Sequence, residues 1–106
     1  MGGYIKTEKD KAKIVSGFGP GFKVRVKENG IYEIIFDNAM PKDMFPIVVA
    51  TSTGRAKTRR SFAVVSSVSN EGAVIELINY VTLERDGKPV VAMEEGDFHF
   101  IAVLPK

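Results

Sequence analysis

The chain has 106 residues, of which 44% are hydrophobic and 26% charged, with a formal net charge of +2 and no cysteine. These values are typical of one globular domain that buries its own core, and they exclude disulfides and thiolate metal sites. The small net charge does not favour a nucleic acid partner. No apolar run approaches the ~18 residues of a membrane-spanning helix, so we expect no membrane insertion.

The chain divides into a charged start and a β-rich remainder. Residues 1–12 are rich in Lys, Glu and Asp, and we expect a charged lead-in whose order is left open. Residues 13–106 contain short runs of Val, Ile, Phe and Tyr, separated by Gly, Asn, Asp and Pro. The predicted strands lie near residues 13–16, 22–27, 31–37, 46–52, 61–69, 73–83, 89–93 and 97–104. The predicted fold is therefore an all-β, antiparallel β-sandwich, jelly-roll-like, with about eight strands.

The first hairpin follows from side-chain parity, because residues directly opposite each other in an antiparallel pair share a face of the sheet. We expect a three-residue loop at residues 28–30, with Gly30 in the left-handed conformation of a bulged turn. The expected cross-strand pairs are Val26 with Tyr32, Val24 with Ile34, Phe22 with Phe36 and, on the opposite face, Arg25 with Glu33. The preceding glycine-rich run SGFGPGF leads into a strand, so we interpret it as a sharp connection and not as a phosphate-binding loop.

The later strands are apolar on both faces. A second hairpin is predicted with a loop at residues 70–72 and with the pairs Val68–Val74, Val64–Ile78 and Phe62–Tyr80. One small domain has one core to fill, so we expect the second apolar face to be covered by other copies of the chain. The candidate subunit-interface residues, taken from this hairpin and from the last strand, are Val65, Ile75, Leu77, His99, Ile101 and Val103.

The strongest ligand-like signal is the basic segment TSTGRAKTRRSF. It carries four cations within six residues: Arg55, Lys57, Arg59 and Arg60. They are candidates for binding an anion or an acidic partner, since Arg offers bidentate contacts to planar anions. The alternative is a solvated loop whose charges prevent edge-to-edge strand pairing.

No catalytic constellation is recognisable in the sequence. His99 is the one histidine, so it has no histidine or cysteine partner for a zinc site. The acidic run MEEGD lacks the regular spacing of oxygen ligands in a calcium loop. We therefore predict a protein without catalytic residues, metal or cofactor.

The order of these features resembles small β-sandwich domains at the C-termini of bacteriophage tail-fibre and related bacterial surface proteins. The resemblance rests on short apolar patterns: Phe22-x-Val24, Gly30-x-Tyr32-x-Ile34-x-Phe36, the P-x-V-x-A-T pattern at residues 46–51, and Phe98-x-Phe100-Ile101-Ala102. Such domains are similar to the trimeric jelly rolls of the tumour necrosis factor and complement-head type.

The resemblance implies a non-enzymatic, homotrimeric structural or recognition module that binds a receptor or glycan through its loops. It also implies a location on a virion or extracellular surface, although a cytoplasmic location stays open. The alternative function is a monomeric, lectin-like domain that binds a carbohydrate or an anion.

Overall fold

The computed structural model describes residues 1–8, 10–52, 61–82, 89–93 and 96–103. Within these ranges the chain forms nine strands and no helix, and therefore no helix long and apolar enough to cross a membrane. The strands are β1 (Gly2–Glu8), β2 (Lys11–Phe18), β3 (Phe22–Glu28), β4 (Ile31–Phe36), β5 (Ile47–Ser52), β6 (Ser61–Ser69), β7 (Gly72–Thr82), β8 (Pro89–Met93) and β9 (Phe98–Val103).

The strands form two antiparallel sheets that pack face to face. The four-stranded sheet has the order β2-β1-β9-β5, and the five-stranded sheet has the order β3-β4-β7-β6, with β8 paired to the far half of β7. At the two edges of the sandwich, β2 lies beside β3 and β5 lies beside β6. The predicted all-β sandwich is confirmed, and each predicted strand is present.

The expected lead-in at residues 1–12 is wrong, because the ninth strand lies within it. β1 runs through the middle of the four-stranded sheet, between β2 and β9, and its Ile5 is fully buried. Lys6 and Glu8 are exposed on the opposite face. A strand with one solvated face needs few apolar residues. The charged residues on that face made the segment resemble a solvated lead-in, so its alternation of buried and exposed side chains was not recognised. Gly3 also lets the sheets approach, since an added Cβ would lie 2.8 Å from the ring of Phe22.

The first hairpin has the predicted register. β3 and β4 pair through Phe22–Phe36, Val24–Ile34, Arg25–Glu33 and Val26–Tyr32, with an irregularity between Val26 and Glu28. Gly30 has a φ of 84°, which L side chains rarely adopt. An Arg25 Nη2 atom donates to Glu33 Oε2 at 2.8 Å on the outer face. An exposed ion pair of this kind contributes between a few tenths and about 1 kcal/mol to the free energy of unfolding.

The predicted register of the second hairpin is wrong, and Val68, predicted to share a face with Val74, pairs with Ala73 on the inward face. The turn contains two residues, Asn70 and Glu71, and is closed by the pair Ser69–Gly72. A further irregularity between Val65 and Ser67 then shifts the pairing. The observed pairs are Val68–Ala73, Ser67–Val74, Val65–Ile75, Val64–Glu76, Ala63–Leu77 and Phe62–Ile78. The turn is also tied to the β4–β5 connection, where the Asn70 side-chain amide donates to the Met40 carbonyl at 3.1 Å.

Aromatic contacts between the sheets form the centre of the core. The Tyr32 and Phe98 rings have centroids 5.6 Å apart, and Phe22 meets Phe100 edge to face at 4.9 Å. Both geometries suit the ring quadrupoles. The buried residues packed around these contacts are Ile5, Tyr32, Ile34, Phe36, Ile75, Leu77, Phe98, Phe100 and Ala102.

Substitution of Gly72 tests whether the backbones of β4 and β7 lie too close together for a side chain at this position. A Cβ at this position would collide with the carbonyl oxygen of Ile34 and lie 2.9 Å from its carbonyl carbon. We expect Gly72→Ala to lower the free energy of unfolding by about 2–4 kcal/mol, because two paired backbones must separate. Chemical denaturation measures the change.

Gly17→Ala is the matched control for this substitution. Its added Cβ would lie 3.3 Å or more from its nearest neighbours, on an exposed part of β2. We expect it to change stability by less than about 1 kcal/mol, since alanine is no worse than glycine in a strand interior. Equal costs for the two substitutions would contradict the proposed collision.

Candidate functional site

The outer face of the four-stranded sheet carries a continuous apolar surface. On neighbouring strands β5 and β9, Ile47 pairs with Val103 and Val49 pairs with Ile101. These four side chains, here called the apolar strip, point away from the core and are 67%, 57%, 64% and 52% exposed, respectively. Thr51 pairs with His99 at the end of the strip. None of these six side chains is a lysine, arginine, aspartate or glutamate.

The surface extends from the strip across β1 to Phe18 on β2. Gly2 lies opposite Ile101 on one side and Phe18 on the other. An added Cβ at Gly2 would lie 2.8 Å from the Phe18 ring, so the missing side chain lets that ring lie over the strand. Phe18 remains 60% exposed. A groove of about 330 Å³ lies here, lined by Gly3, Tyr4, Ser16, Gly17, Phe18, His99, Phe100 and Ile101.

A buried carboxylate orients the side chains at the end of the strip. The Tyr4 hydroxyl donates to Asp97 Oδ2 at 3.0 Å, and the Thr7 amide donates to Asp97 Oδ1 at 3.3 Å. Asp97 is only 4% exposed. The Tyr4 ring in turn lies 4.6 Å from the His99 ring at an interplanar angle of 30°. Asp97 therefore holds the aromatic side chain that flanks His99.

Thr7 of β1 also holds the loop that precedes β9. The Thr7 hydroxyl donates to the Gly96 carbonyl at 2.5 Å and accepts from the Gly96 amide at 2.8 Å. This reciprocal pair satisfies backbone groups of Gly96, which is buried. The position of Asp97, and with it the Tyr4–His99 contact, is thus set by β1.

Three of the six predicted interface residues lie together on this surface. His99, Ile101 and Val103 alternate along β9 and are all exposed. Two others, Ile75 and Leu77, are fully buried between the two sheets, so the interface prediction is wrong for them. Val65 is half-buried and pairs with Ile75, which places it on the same inward face. Alternation separates the two faces of a strand, but it does not reveal which face meets the opposite sheet.

Sequence reasoning missed the β5 half of the surface. Ile47 and Val49 alternate with the half-buried Val48 and Ala50 in the segment PIVVATS. This strand is therefore apolar on both faces, the same signal that identified β9. Phe18 was missed for a different reason, since its position depends on Gly2 of a strand that was not predicted.

The basic segment with Arg55, Lys57, Arg59 and Arg60 lies outside the residues that the structure describes. Its predicted role in binding an anion or a partner therefore stays a prediction.

Comparison with protein families, with curated proteins and with solved structures finds no match for this chain. The functional argument therefore depends on the geometry of its own surface.

Two alanine substitutions, one in the core and one in the strip, test which side chains are buried between the sheets. At a protein concentration too low for association, we expect Leu77→Ala to lower the free energy of unfolding by about 2–5 kcal/mol, because it opens a cavity between the sheets. Ile101→Ala removes a half-exposed side chain, and we expect it to cost less than about 1.5 kcal/mol. Urea denaturation of both variants gives the comparison, and similar costs would refute the assignment of the two faces.

The Tyr4 hydroxyl can be tested separately from the Tyr4 ring. Tyr4→Phe keeps the ring beside His99 and removes one donor to the buried Asp97, so we expect a loss of about 1–3 kcal/mol in unfolding free energy. Glu33→Gln is the control, since it weakens an exposed ion pair and is expected to cost under about 1 kcal/mol. Thermal and urea denaturation measure both, and a Tyr4→Phe variant as stable as the wild type would show that Asp97 does not need this donor.

Proposed function

We propose that this chain is a non-enzymatic structural and recognition module that assembles as a homotrimer. The proposed type is that of phage tail fibres and surface adhesins, which contact a receptor or glycan through loops. The observation that supports self-association most is the apolar strip on β5 and β9. The number of copies and the surface role come from the resemblance of the sequence pattern, and the basic segment at residues 55–60 is the candidate contact for a partner.

The strip is energetically costly for a protomer that stays alone in water. Complete burial of a side chain such as Ile or Val contributes about 1.5–3 kcal/mol. Four such side chains that are each half to two-thirds exposed leave on the order of 4–7 kcal/mol of this stabilisation unrealised. The strip side chains lie side by side on paired strands, so one flat partner surface covers them together.

The size of the surface fits an interface between copies of the chain. The strip and Phe18 expose on the order of 300–500 Å² of apolar surface, since each of these five side chains is half to two-thirds exposed. A standard interface buries about 800 Å² per partner, of which about 65% is apolar in homodimers, or roughly 520 Å². The exposed apolar area therefore approaches the apolar part of a homo-oligomeric interface.

The charge distribution also favours a second copy as the partner. The strip carries no formal charge, so three copies of it can approach a common threefold axis without like-charge repulsion. The outer face of β3, by contrast, presents Lys23, Arg25 and Lys27 at alternate positions. Glu33 partly neutralises Arg25, but association through β3 would still require Lys23 and Lys27 to lose water. The four-stranded sheet is thus the better candidate for self-association.

The assembly can be tested by sedimentation equilibrium on the purified chain. We expect a mass three times that of the 11.6 kDa protomer. Ile101→Lys places a charge in the strip, and we expect it to weaken association roughly 30-fold or more, because the ammonium group loses water on assembly.

Phe62→Lys is the matched control, since Phe62 is an exposed aromatic residue on the outer face of the opposite sheet. We expect this variant to keep the mass of the wild type. Dissociation by Phe62→Lys alone would assign the interface to the opposite sheet. A wild-type chain that is monomeric at micromolar concentration would refute self-association altogether.

The groove beside the strip supports the monomeric, lectin-like alternative. Its walls include the aromatic side chains of Tyr4 and Phe18, and its polar groups include Ser16 and His99. Binding sites for small ligands combine such an apolar lining with a few polar groups. A monomeric mass together with binding on a glycan array, lost in Phe18→Ala, would favour this function over the homotrimer.

A further inference from the structure

His99 is the side chain of the candidate interface that changes charge near neutral pH. It is the one histidine of the chain, it is exposed, and it lies in the row of outward-facing residues that continues with Ile101 and Val103. We propose that assembly through this surface is acid-labile and that protonation of His99 drives the copies apart. The inference rests on the proposed self-association and adds a regulatory property to the same surface.

The neighbours of His99 determine the balance of charge around it. On β5 it pairs with Thr51, and the next outward-facing residue, Val49, is also uncharged. On β1 it pairs with Tyr4, whose ring contacts it. Lys6 follows Tyr4 on the outer face of β1. Beyond Tyr4, β2 contributes Ser16.

Asp97 is the acidic group nearest in sequence on the face of His99. Its carboxylate accepts hydrogen bonds from the Tyr4 hydroxyl and the Thr7 amide, and it lines a pocket together with Lys6. Asp97 is already 96% buried within a single protomer, since only 4% of it is exposed. Its charge therefore acts on His99 in both the free and the assembled protein and largely cancels from the difference between them.

Burial by a second copy, in contrast, acts only in the assembly. Removing the His99 imidazole from water disfavours its charged form. The dissociated protomer therefore binds more protons than the assembled one, and association weakens as the pH falls. The stabilisation is fully present above the range in which histidine titrates, between about pH 5 and 8, and is lost as the pH falls through that range. Each copy contributes one histidine, so the effect multiplies with the number of copies.

The titration of His99 can be observed directly, because a single histidine gives a single Cε1–H signal by NMR. We expect this signal to change over a lower pH range at a protein concentration far above the dissociation constant than far below it, because assembly removes the imidazole from water. Sedimentation velocity at about pH 7.5 and about pH 5.5 gives the second readout. We expect the dissociation constant to be at least roughly tenfold larger at the lower pH, with an unchanged far-UV circular dichroism spectrum.

His99→Gln is the control variant, since glutamine keeps a polar side chain that does not titrate. We expect its dissociation constant to be the same at both pH values. Acid-induced dissociation that persists in His99→Gln would overturn the proposal by assigning the effect to carboxyl groups. If this variant does not fold, the midpoint of the wild-type signal decides alone, and a midpoint independent of concentration refutes the proposal.

Failure of this inference differs from failure of the proposed function. A wild-type chain that is monomeric at both pH values refutes both. A stable oligomer whose dissociation constant does not change with pH refutes only the acid-labile interface. Tighter association at the lower pH would also overturn it, because it would show that assembly stabilises the protonated imidazole.

Discussion

The structure depends on the packing of β9 against the opposite sheet. Phe98 and Phe100 of this strand contact Tyr32 and Phe22 across the core. Because side chains of a strand alternate between its faces, the inward position of these two rings directs His99, Ile101 and Val103 outward. The outward face is apolar as well. The interaction that holds the sheets together therefore also creates the surface that we propose for self-association.

β1 is the second element on which this surface depends. Its glycines allow close approach: Phe18 lies over Gly2 on the outside, and Phe22 lies against Gly3 on the inside. Farther along the same strand, Tyr4 and Thr7 bind Asp97 and hold the segment that begins β9. Without β1, β9 would lose one of its two neighbours in the sheet, and Phe18 would lose the position that extends the apolar surface beyond β5 and β9.

The two outer faces of the sandwich differ in a way that matters for partner choice. The face of the four-stranded sheet combines an uncharged strip with a groove beside it, whereas the opposite face mixes half-buried apolar residues with Glu33 and Glu76 and is bordered by the basic strand β3. We propose an uncharged surface of this size as the contact between copies, and His99 within it as the group that would make this contact respond to protons. In our two proposals, the same face of the sandwich therefore carries both the contact between copies and the group whose protonation reverses it.

The sequence by itself determined the all-β class, the positions of eight strands and the register of the first hairpin. These follow from local rules: apolar alternation with a period of two and a glycine such as Gly30 at a bulged turn. It also identified β9 as apolar on both faces, which contributed His99, Ile101 and Val103 to the candidate site. The described residues do not include the basic segment at 55–60, so its role is still known only as a prediction.

Only the tertiary structure decided which apolar face is buried and where the charged start of the chain belongs. Ile75 and Leu77 face the core because β7 lies between β4 and β6 with that side toward the other sheet. β1 became a central strand because β2 and β9 both pair with it. The register of the second hairpin likewise depends on an irregularity at Ser66 and on a turn tied to Met40. Alternation is a property of one strand, whereas burial is a property of its neighbours, and distant neighbours are not encoded in a local pattern.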